Sequence, residues 1–381
     1  MSRIELPRVV AWSLDEAQLW LGDKRLADAA SAPMAASRLR DAGAESVCIV
    51  DAAVVDSRAL TWIDTPHARG WLATAPAETG RPAAERGSTR RFAHHLAAAM
   101  AKGFVAADAA VLAAMARAKG WHVGDPALLP RLSWDEEMRF SDTPSAPSRR
   151  LDLYAIVDSA NRLLQVLAAG VKTVQLRIKK PDEPDAAWTS ALRADIVRGV
   201  AACEAAGAEL FINDHWELAT QTGVKGVHLG QEDLLALGAA GRSALRATGM
   251  AVGISSHSLW ELCRAATLAP RYIACGPVWP TLTKAMPWRA QGLDNLSWWC
   301  RMAPAPVVAI GGILGAEQVE QAARCDADGI CIVRGLGERP QDVVPALQAA
   351  MAAGRASTRG TEAASQWPHS SLGQPLAASE A

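Results

Sequence analysis

The chain has 381 residues, enough for two or three domains that each bury a core. Its 39 Lys and Arg against 40 Asp and Glu leave a formal net charge of −1. That excludes a broad field that would recruit nucleic acid or an acidic membrane, so the basic residues that matter act locally. Seven cysteines (Cys48, Cys203, Cys263, Cys275, Cys300, Cys325 and Cys331) make no C-x-x-C pair, which fits free thiols in a reducing cytoplasm better than disulfides or a zinc site. The N-terminus lacks an uninterrupted apolar signal core and no apolar run reaches membrane-spanning length, so a soluble cytoplasmic protein is expected. Fourteen Trp against four Phe and two Tyr is an unusual aromatic balance.

Residues 1–133 alternate helix and strand. Helices are expected at Leu14–Leu21, Pro33–Ala42, Arg91–Lys102 and Ala106–Lys119, with a short buried strand at Ser46–Val50 and a loop-rich stretch after it. This is α/β material, too little for a doubly wound domain with its own ligand crevice. Residues 134–150 are polar and Pro/Ser-rich and read as a linker, and residues 355–381 lack periodicity and read as a disordered tail.

Residues 151–354 are regular. Apolar strands are expected at Leu153–Val157, Val171–Ile178, Glu209–Ile212, Val227–Leu229, Ala251–Ile254, Tyr272–Ala274, Val307–Ile310 and Gly329–Val333, with helical stretches between, among them Ala187–Ala205, Trp260–Leu268 and Ala316–Ala323. Eight β–α units in so short a span predict a (β/α)8 TIM barrel, with an open doubly wound sheet as the other possibility.

In such a barrel the chemistry sits at the C-terminal strand ends. Asp214 and Asp233 each follow a strand, with Asn213 beside the first. Hard oxygens there suit Mg²⁺, although each Asp could instead cap the helix after it. Period two turns Gln175 and Arg177 into the mouth, with Lys179 beyond them. Ser255 and Ser256 end the fifth strand and could donate to a phosphate or cap the next helix. Gly276–Lys284 brings Thr281, Thr283 and Lys284 together as a hydrogen-bonding pocket for a diphosphate. Gly311 and Gly312 after the seventh strand, and Gly335 after the eighth, lie where barrels seat a phosphate on backbone N–H groups. His228 and His215 read as structural histidines before bases. A metal-bound diphosphate and a separate monophosphate imply departure of diphosphate and capture by a nucleophile.

These residues also resemble a family. QLR-x-K (Gln175 to Lys179), ND (Asn213, Asp214), HLGQED (His228 to Asp233), GxSxHS (Gly253 to Ser258), GPVWPTxTK (Gly276 to Lys284) and IGGI (Ile310 to Ile313) are together similar to thiamine-phosphate synthase, in order across 151–337. The resemblance implies a transferase joining 4-amino-2-methyl-5-hydroxymethylpyrimidine diphosphate to 4-methyl-5-hydroxyethylthiazole phosphate, with Mg²⁺ and no nucleic-acid or membrane partner. It implies that Asp214 and Asp233 hold Mg²⁺, and that Arg177, Lys179, Asn213 and Lys284 hold the diphosphate. It places Gln175 beside the pyrimidine, Ser255, Thr281 and Thr283 in the substrate pockets, and Gly312 with the eighth-strand loop on the thiazole phosphate. Its mechanism is dissociative and needs no protein nucleophile. Two positions depart from the pattern. Ile178 stands where an acid is common, and Arg334 replaces a Ser, although a guanidinium also binds phosphate.

The N-terminal region has a partial resemblance to the C-terminal half of hydroxymethylpyrimidine-phosphate kinase, a ribokinase-like fold. Val9–Gly22 and Gly43–Val55 are similar to its segments, and Gly87-Ser-Thr-Arg-Arg91 aligns with its anion hole. Thr89 stands for a glycine there and Arg90 for the catalytic cysteine, which implies an inactive region. The alternatives for the whole are a thiazole tautomerase-like barrel enzyme and a non-catalytic precursor-binding regulator.

Overall fold

A computed structural model of the protein describes residues 6–75, 87–119, 123–138, 140, 149–280, 287–357 and 367–372. The chain forms two compact units, one of Met1–Thr143, Ser258–Leu268 and His369–Ala381, the other of Pro144–His257 and Ala269–Pro368.

In the first unit, β1 (Val9–Trp12), α1 (Leu14–Leu21) and α2 (Ala32–Asp41) lead to β2 (Ser46–Val55), β3 (Arg58–Asp64) and β4 (Arg69–Ala73). Then come α3 (Ser88–Ala101), α4 (Ala106–Lys119) and β5 (Arg131–Leu132). The sheet order is β1-β2-β3-β4-β5, parallel between β1 and β2 and antiparallel after that. Ser13 starts α1 with a reciprocal cap: its Oγ accepts from the Glu16 N–H at 3.2 Å, and the Glu16 carboxylate accepts from the Ser13 N–H at 2.7 Å.

The stretch after Val50, expected to be loop-rich, is instead a three-stranded meander. Leu60, Trp62 and Ile63 in β3 and Trp71 and Leu72 in β4 are all buried, so no polar alternation marks these strands in the sequence. Trp62 and Trp71 meet edge to face at 5.2 Å, which accounts for part of the tryptophan excess as core volume. Residues at the start of the expected linker also pack on this unit, Met138 and Phe140 lying partly buried against its core. The Trp71 indole donates to the Glu136 carbonyl at 3.0 Å, and the Trp134 indole to Thr267 Oγ1 at 2.9 Å.

The second unit runs β6 (Asp152–Val157), α5 (Ala160–Ala168), β7 (Thr173–Leu176), α6 (Ala186–Ala206), β8 (Glu209–Asn213), α7 (Trp216–Gln221) and β9 (Gly226–Leu229). It continues with α8 (Gln231–Ala236), α9 (Gly238–Ala247) and β10 (Ala251–Ser256), after which the chain passes through α10 (Leu259–Ala265). β11 (Tyr272–Cys275), α11 (Gly292–Met302), β12 (Val307–Ala309), α12 (Ala316–Arg324), β13 (Gly329–Ile332) and α13 (Pro340–Ala356) complete it. β6 to β13 close into a barrel with every pairing parallel, so the expected (β/α)8 strand set is present and the open sheet is excluded. Period two sends alternate residues inward, and Tyr154, Phe211, Tyr272, Ala274, Val308 and Cys331 fill the interior as one buried cluster. The tail expected to be disordered is partly packed: α13 runs to Ala356, and Ser370, Ser371 and Leu372 are buried. All seven cysteines are free thiols. Among the described residues no helix is long and apolar enough to cross a membrane.

All seven residues of α10, a helix of the first unit, are buried. Asp108 of α4 is 0% exposed and accepts the Leu259 N–H at 2.9 Å, while its second carboxylate oxygen has no hydrogen-bond partner among the described residues. Burial pushes this carboxyl up from 3.8 to about 7, outweighing the pull of the nearby Leu259, Ser371 and Trp260 N–H groups. The folded state therefore holds a proton that the unfolded chain releases near pH 4. Stability from this group is full at low pH, falls as pH rises from about 4 to about 7, and stays low above that. Asp108→Asn keeps an acceptor for Leu259 and cannot ionise. The melting temperature of the variant relative to the parent is expected to rise between pH 4 and 8 in thermal unfolding; a constant difference would show that Asp108 ionises in the folded chain at the same pH as in the unfolded one.

Candidate active site

β7 ends at Leu176, two residues short of the expected strand. Gln175 is 2% exposed and inward, its amide nitrogen donating to the Tyr154 hydroxyl at 3.1 Å. Arg177 lies just past the strand with its N–H on the Val157 carbonyl at 2.7 Å. It is exposed, and its guanidinium is near enough to act electrostatically on both Asp214 and His228. Lys179 is exposed on the following loop.

Asn213 ends β8 opposite His228 of β9 and is buried; Asp214, next in the chain, has left-handed backbone at φ 65°. Its N–H donates to the His228 carbonyl at 3.0 Å, which ties the two strand ends together. Asp214 caps no helix, since the N-cap of α7 is His215, with no side-chain cap bond. Asp233 does act as a cap: its Oδ2 accepts the Gly230 N–H at 3.0 Å at the start of α8. Burial and then repulsion from Asp233 raise the Asp214 carboxyl above its ordinary value, while His215, Arg177 and Asn213 oppose the shift. A half-buried carboxyl opposed by a neighbouring acid forms a seat that a divalent cation would neutralise. Among the described residues no third His, Cys, Asp or Glu joins them, so a bound ion would complete its shell with substrate or water oxygens. Hard oxygen donors and an incomplete protein shell fit Mg²⁺.

His228 joins β9 to β10 and β11. One ring nitrogen meets the Tyr272 hydroxyl at 2.8 Å and the other Ser255 Oγ at 2.8 Å. Burial, with Arg177 and His257 adding to it, lowers its pKa to about 4, so it is neutral and structural near pH 7. Neither Ser255 nor Ser256 caps α10. Ser258 does, accepting the Glu261 N–H at 3.3 Å, which leaves Ser255 facing the interior and Ser256 receiving Gln231 Nε2 at 3.0 Å. Sequence reasoning missed Tyr154 and Tyr272. A signal was present, because they are the chain's two tyrosines and both hold inward strand positions.

The loop after β11 is zipped to the loop after β12, with Val278 N–H on the Ile310 carbonyl at 2.8 Å and Trp279 N–H on the Gly311 carbonyl at 3.0 Å. Gly312 has φ 71°, and a Cβ there would lie 2.5 Å from Trp279 Cβ, so backbone approach requires a glycine. After β13, Arg334 begins a short 3-10 turn (Arg334–Leu336) and is exposed. Thr281, Thr283 and Lys284 lie outside the described residues.

A closed parallel barrel with paired carboxylates at adjoining strand ends, and glycine loops after its last strands, defines the class as a (β/α)8-barrel enzyme. A family model described as thiamine monophosphate synthase matches residues 153–336. Thiamine-phosphate synthase of Rhizobium etli is 45% identical over 50% of this chain and 90% of its own length. That of Neisseria meningitidis is 41% identical over 52% and 94%, and that of Yersinia pestis 43% over 51% and 87%. Thiamine phosphate pyrophosphorylase from Pyrococcus furiosus, a solved structure, is 25% identical over 54% of this chain and 96% of its own, with a TM-score of 0.46. The chain belongs to the thiamine-phosphate synthase family and is a transferase.

Proposed function

We propose that the chain joins 4-amino-2-methyl-5-hydroxymethylpyrimidine diphosphate to 4-methyl-5-hydroxyethylthiazole phosphate, and that the residues at the barrel mouth carry the reaction. The supporting observation is the pair Asp214 and Asp233 at neighbouring strand ends, under the influence of Arg177. In this reading Mg²⁺ bound by the two aspartates supplies positive charge to the leaving diphosphate. Arg177, Lys179 and Lys284 surround that diphosphate and stabilise the charge it gains as the carbon–oxygen bond breaks. Asn213 orients the diphosphate, while Gln175 and Ser255 hold the pyrimidine. The thiazole nitrogen then donates its lone pair to the pyrimidine methylene cation, forming the new carbon–nitrogen bond. No proton leaves a protein group, in keeping with a neutral His228. Thr281 and Thr283 are assigned to substrate binding, and Gly312 with Arg334 receives the thiazole phosphate.

The tautomerase and regulator alternatives have no support among the relatives. Residues 1–133 are proposed to be non-catalytic. At the start of α3 the Ser88 hydroxyl donates to Asp51 Oδ2, and a carboxylate at a helix N-terminus disfavours a phosphoryl group there.

Purified protein given both substrates and Mg²⁺ is expected to release thiamine phosphate and diphosphate stoichiometrically; no product would overturn the reading. Lys284→Ala is expected to weaken product inhibition by diphosphate about tenfold or more, through loss of one charge-assisted hydrogen bond. Inhibition equal to that of the parent would give the loop another role.

A further inference from the structure

The two tyrosines meet in the barrel interior with hydroxyl oxygens 2.7 Å apart. Gln175 adjoins Tyr154, and His228 links Tyr272 to Ser255, so five side chains from β6, β7, β9, β10 and β11 form one continuous chain of hydrogen bonds. The fold makes room for it. Gly253 lies in register with both His228 and Tyr272, and a Cβ there would fall 2.1 Å from Tyr272 Cζ. A glycine lets the tyrosine ring cross the strand and stack on His228, with centroids 5.7 Å apart and planes 14° apart.

The direction of the protons follows from counting donors. The Gln175 amide nitrogen donates to the Tyr154 oxygen. Tyr154 is 1% exposed, so its own proton can go only to its other neighbour, the Tyr272 oxygen. Tyr272 must then donate to His228 Nδ1, and the imidazole proton sits on Nε2 and points at Ser255 Oγ. The reverse order would set the Tyr154 proton against an N–H, leaving a buried donor unsatisfied. Burial keeps both phenols protonated, so each has one proton to pass along the chain. At one end Ser255 retains its proton for a ligand. At the other, the Gln175 carbonyl oxygen takes no partner among the described residues.

We propose that Tyr154, Tyr272 and His228 are positioning residues of a polarised hydrogen-bond wire that presents Gln175 as acceptor and Ser255 as donor. The site thereby selects a heteroaromatic edge that carries an amino donor beside a ring-nitrogen acceptor. This rests on the reading of Gln175 and Ser255 as the pyrimidine's partners, but the wire itself can be tested without any substrate.

Nitrogen-15 NMR of the histidine-labelled full chain, with the His228 signals identified by their loss in His228→Asn, is expected to show His228 as the Nε2–H tautomer. An Nδ1–H tautomer would overturn the polarity whatever the kinetics. Tyr272→Phe should raise KM for the pyrimidine diphosphate about tenfold while leaving KM for the thiazole phosphate unchanged. Equal rises in both constants with a lowered melting temperature would mark a structural role only, and unchanged constants would remove the wire from recognition. Tyr154→Phe gives the same reading should Tyr272→Phe fail to fold. Failure of the functional reading would show separately, as an inactive parent with the expected tautomer.

Discussion

Asp214→Asn and Asp233→Asn are each expected to reduce Mg²⁺-dependent turnover by more than about a hundredfold, or about 2.7 kcal/mol of transition-state stabilisation. Asparagine is the right replacement at both positions. Asp214 sits at φ 65°, where Asn is the other side chain that tolerates left-handed backbone. Asp233 holds the Gly230 N–H, and the amide oxygen of Asn can keep that cap. The fold and melting temperature should therefore survive while the negative charge does not. Removing one carboxylate also relieves the repulsion that raises Asp214, so Asp233→Asn should, if anything, raise stability slightly. Turnover is to be measured over a range of Mg²⁺ concentrations. A deficit that high Mg²⁺ partly restores is the signature of a weakened cation seat, and near-parent turnover at ordinary Mg²⁺ would sink the assignment.

Arg334→Ala is expected to raise KM for the thiazole phosphate about ten- to a hundredfold, the value of a charge-assisted hydrogen bond of about 1.5–3 kcal/mol, with KM for the pyrimidine diphosphate unchanged. The competing role for this guanidinium is an ion pair with a surface acid such as Glu338, whose loss would cost only about 0–1 kcal/mol of stability. Among the described residues no carboxylate pairs with Arg334. Arg334 thus stands at the end of β13 with its charge uncommitted, one residue before Gly335, where the backbone closes on Leu314. Initial rates with each substrate varied in turn decide the matter. A thiazole-phosphate constant equal to the parent's would leave the guanidinium without a part in binding.

The barrel was legible because its strands are short apolar runs separated by helical ones, and because inward polar residues such as Gln175 break that apolarity at one parity only. Asp214 and Asp233 could be placed at strand ends for the same reason, but not their local roles: one is free of capping and the other is a cap. That difference depends on where α7 and α8 begin, which a residue or two decides. The meander β2–β4 was missed because β3 and β4 are buried on both faces and carry no period. Ser258 rather than Ser255 caps α10, again a matter of a few residues at an element boundary. The grouping of Ser258–Leu268 with the first unit depends on contacts such as that of Asp108 with Leu259, 151 positions apart in the chain, which no local pattern encodes.

The scarcity of tyrosine in this chain provides an optical probe. Tryptophans are buried in both units, Trp62 and Trp71 in one and Trp298 and Trp299 in the other, so indole fluorescence averages over the whole molecule. Phenol absorbance does not, because both phenols lie inside the barrel and burial pushes their ionisation well above the ordinary range. On alkaline titration the folded chain should therefore remain spectroscopically silent past the pH at which a free tyrosine would have ionised. The phenolate band should then rise in a single cooperative step, and that step is the opening of the barrel.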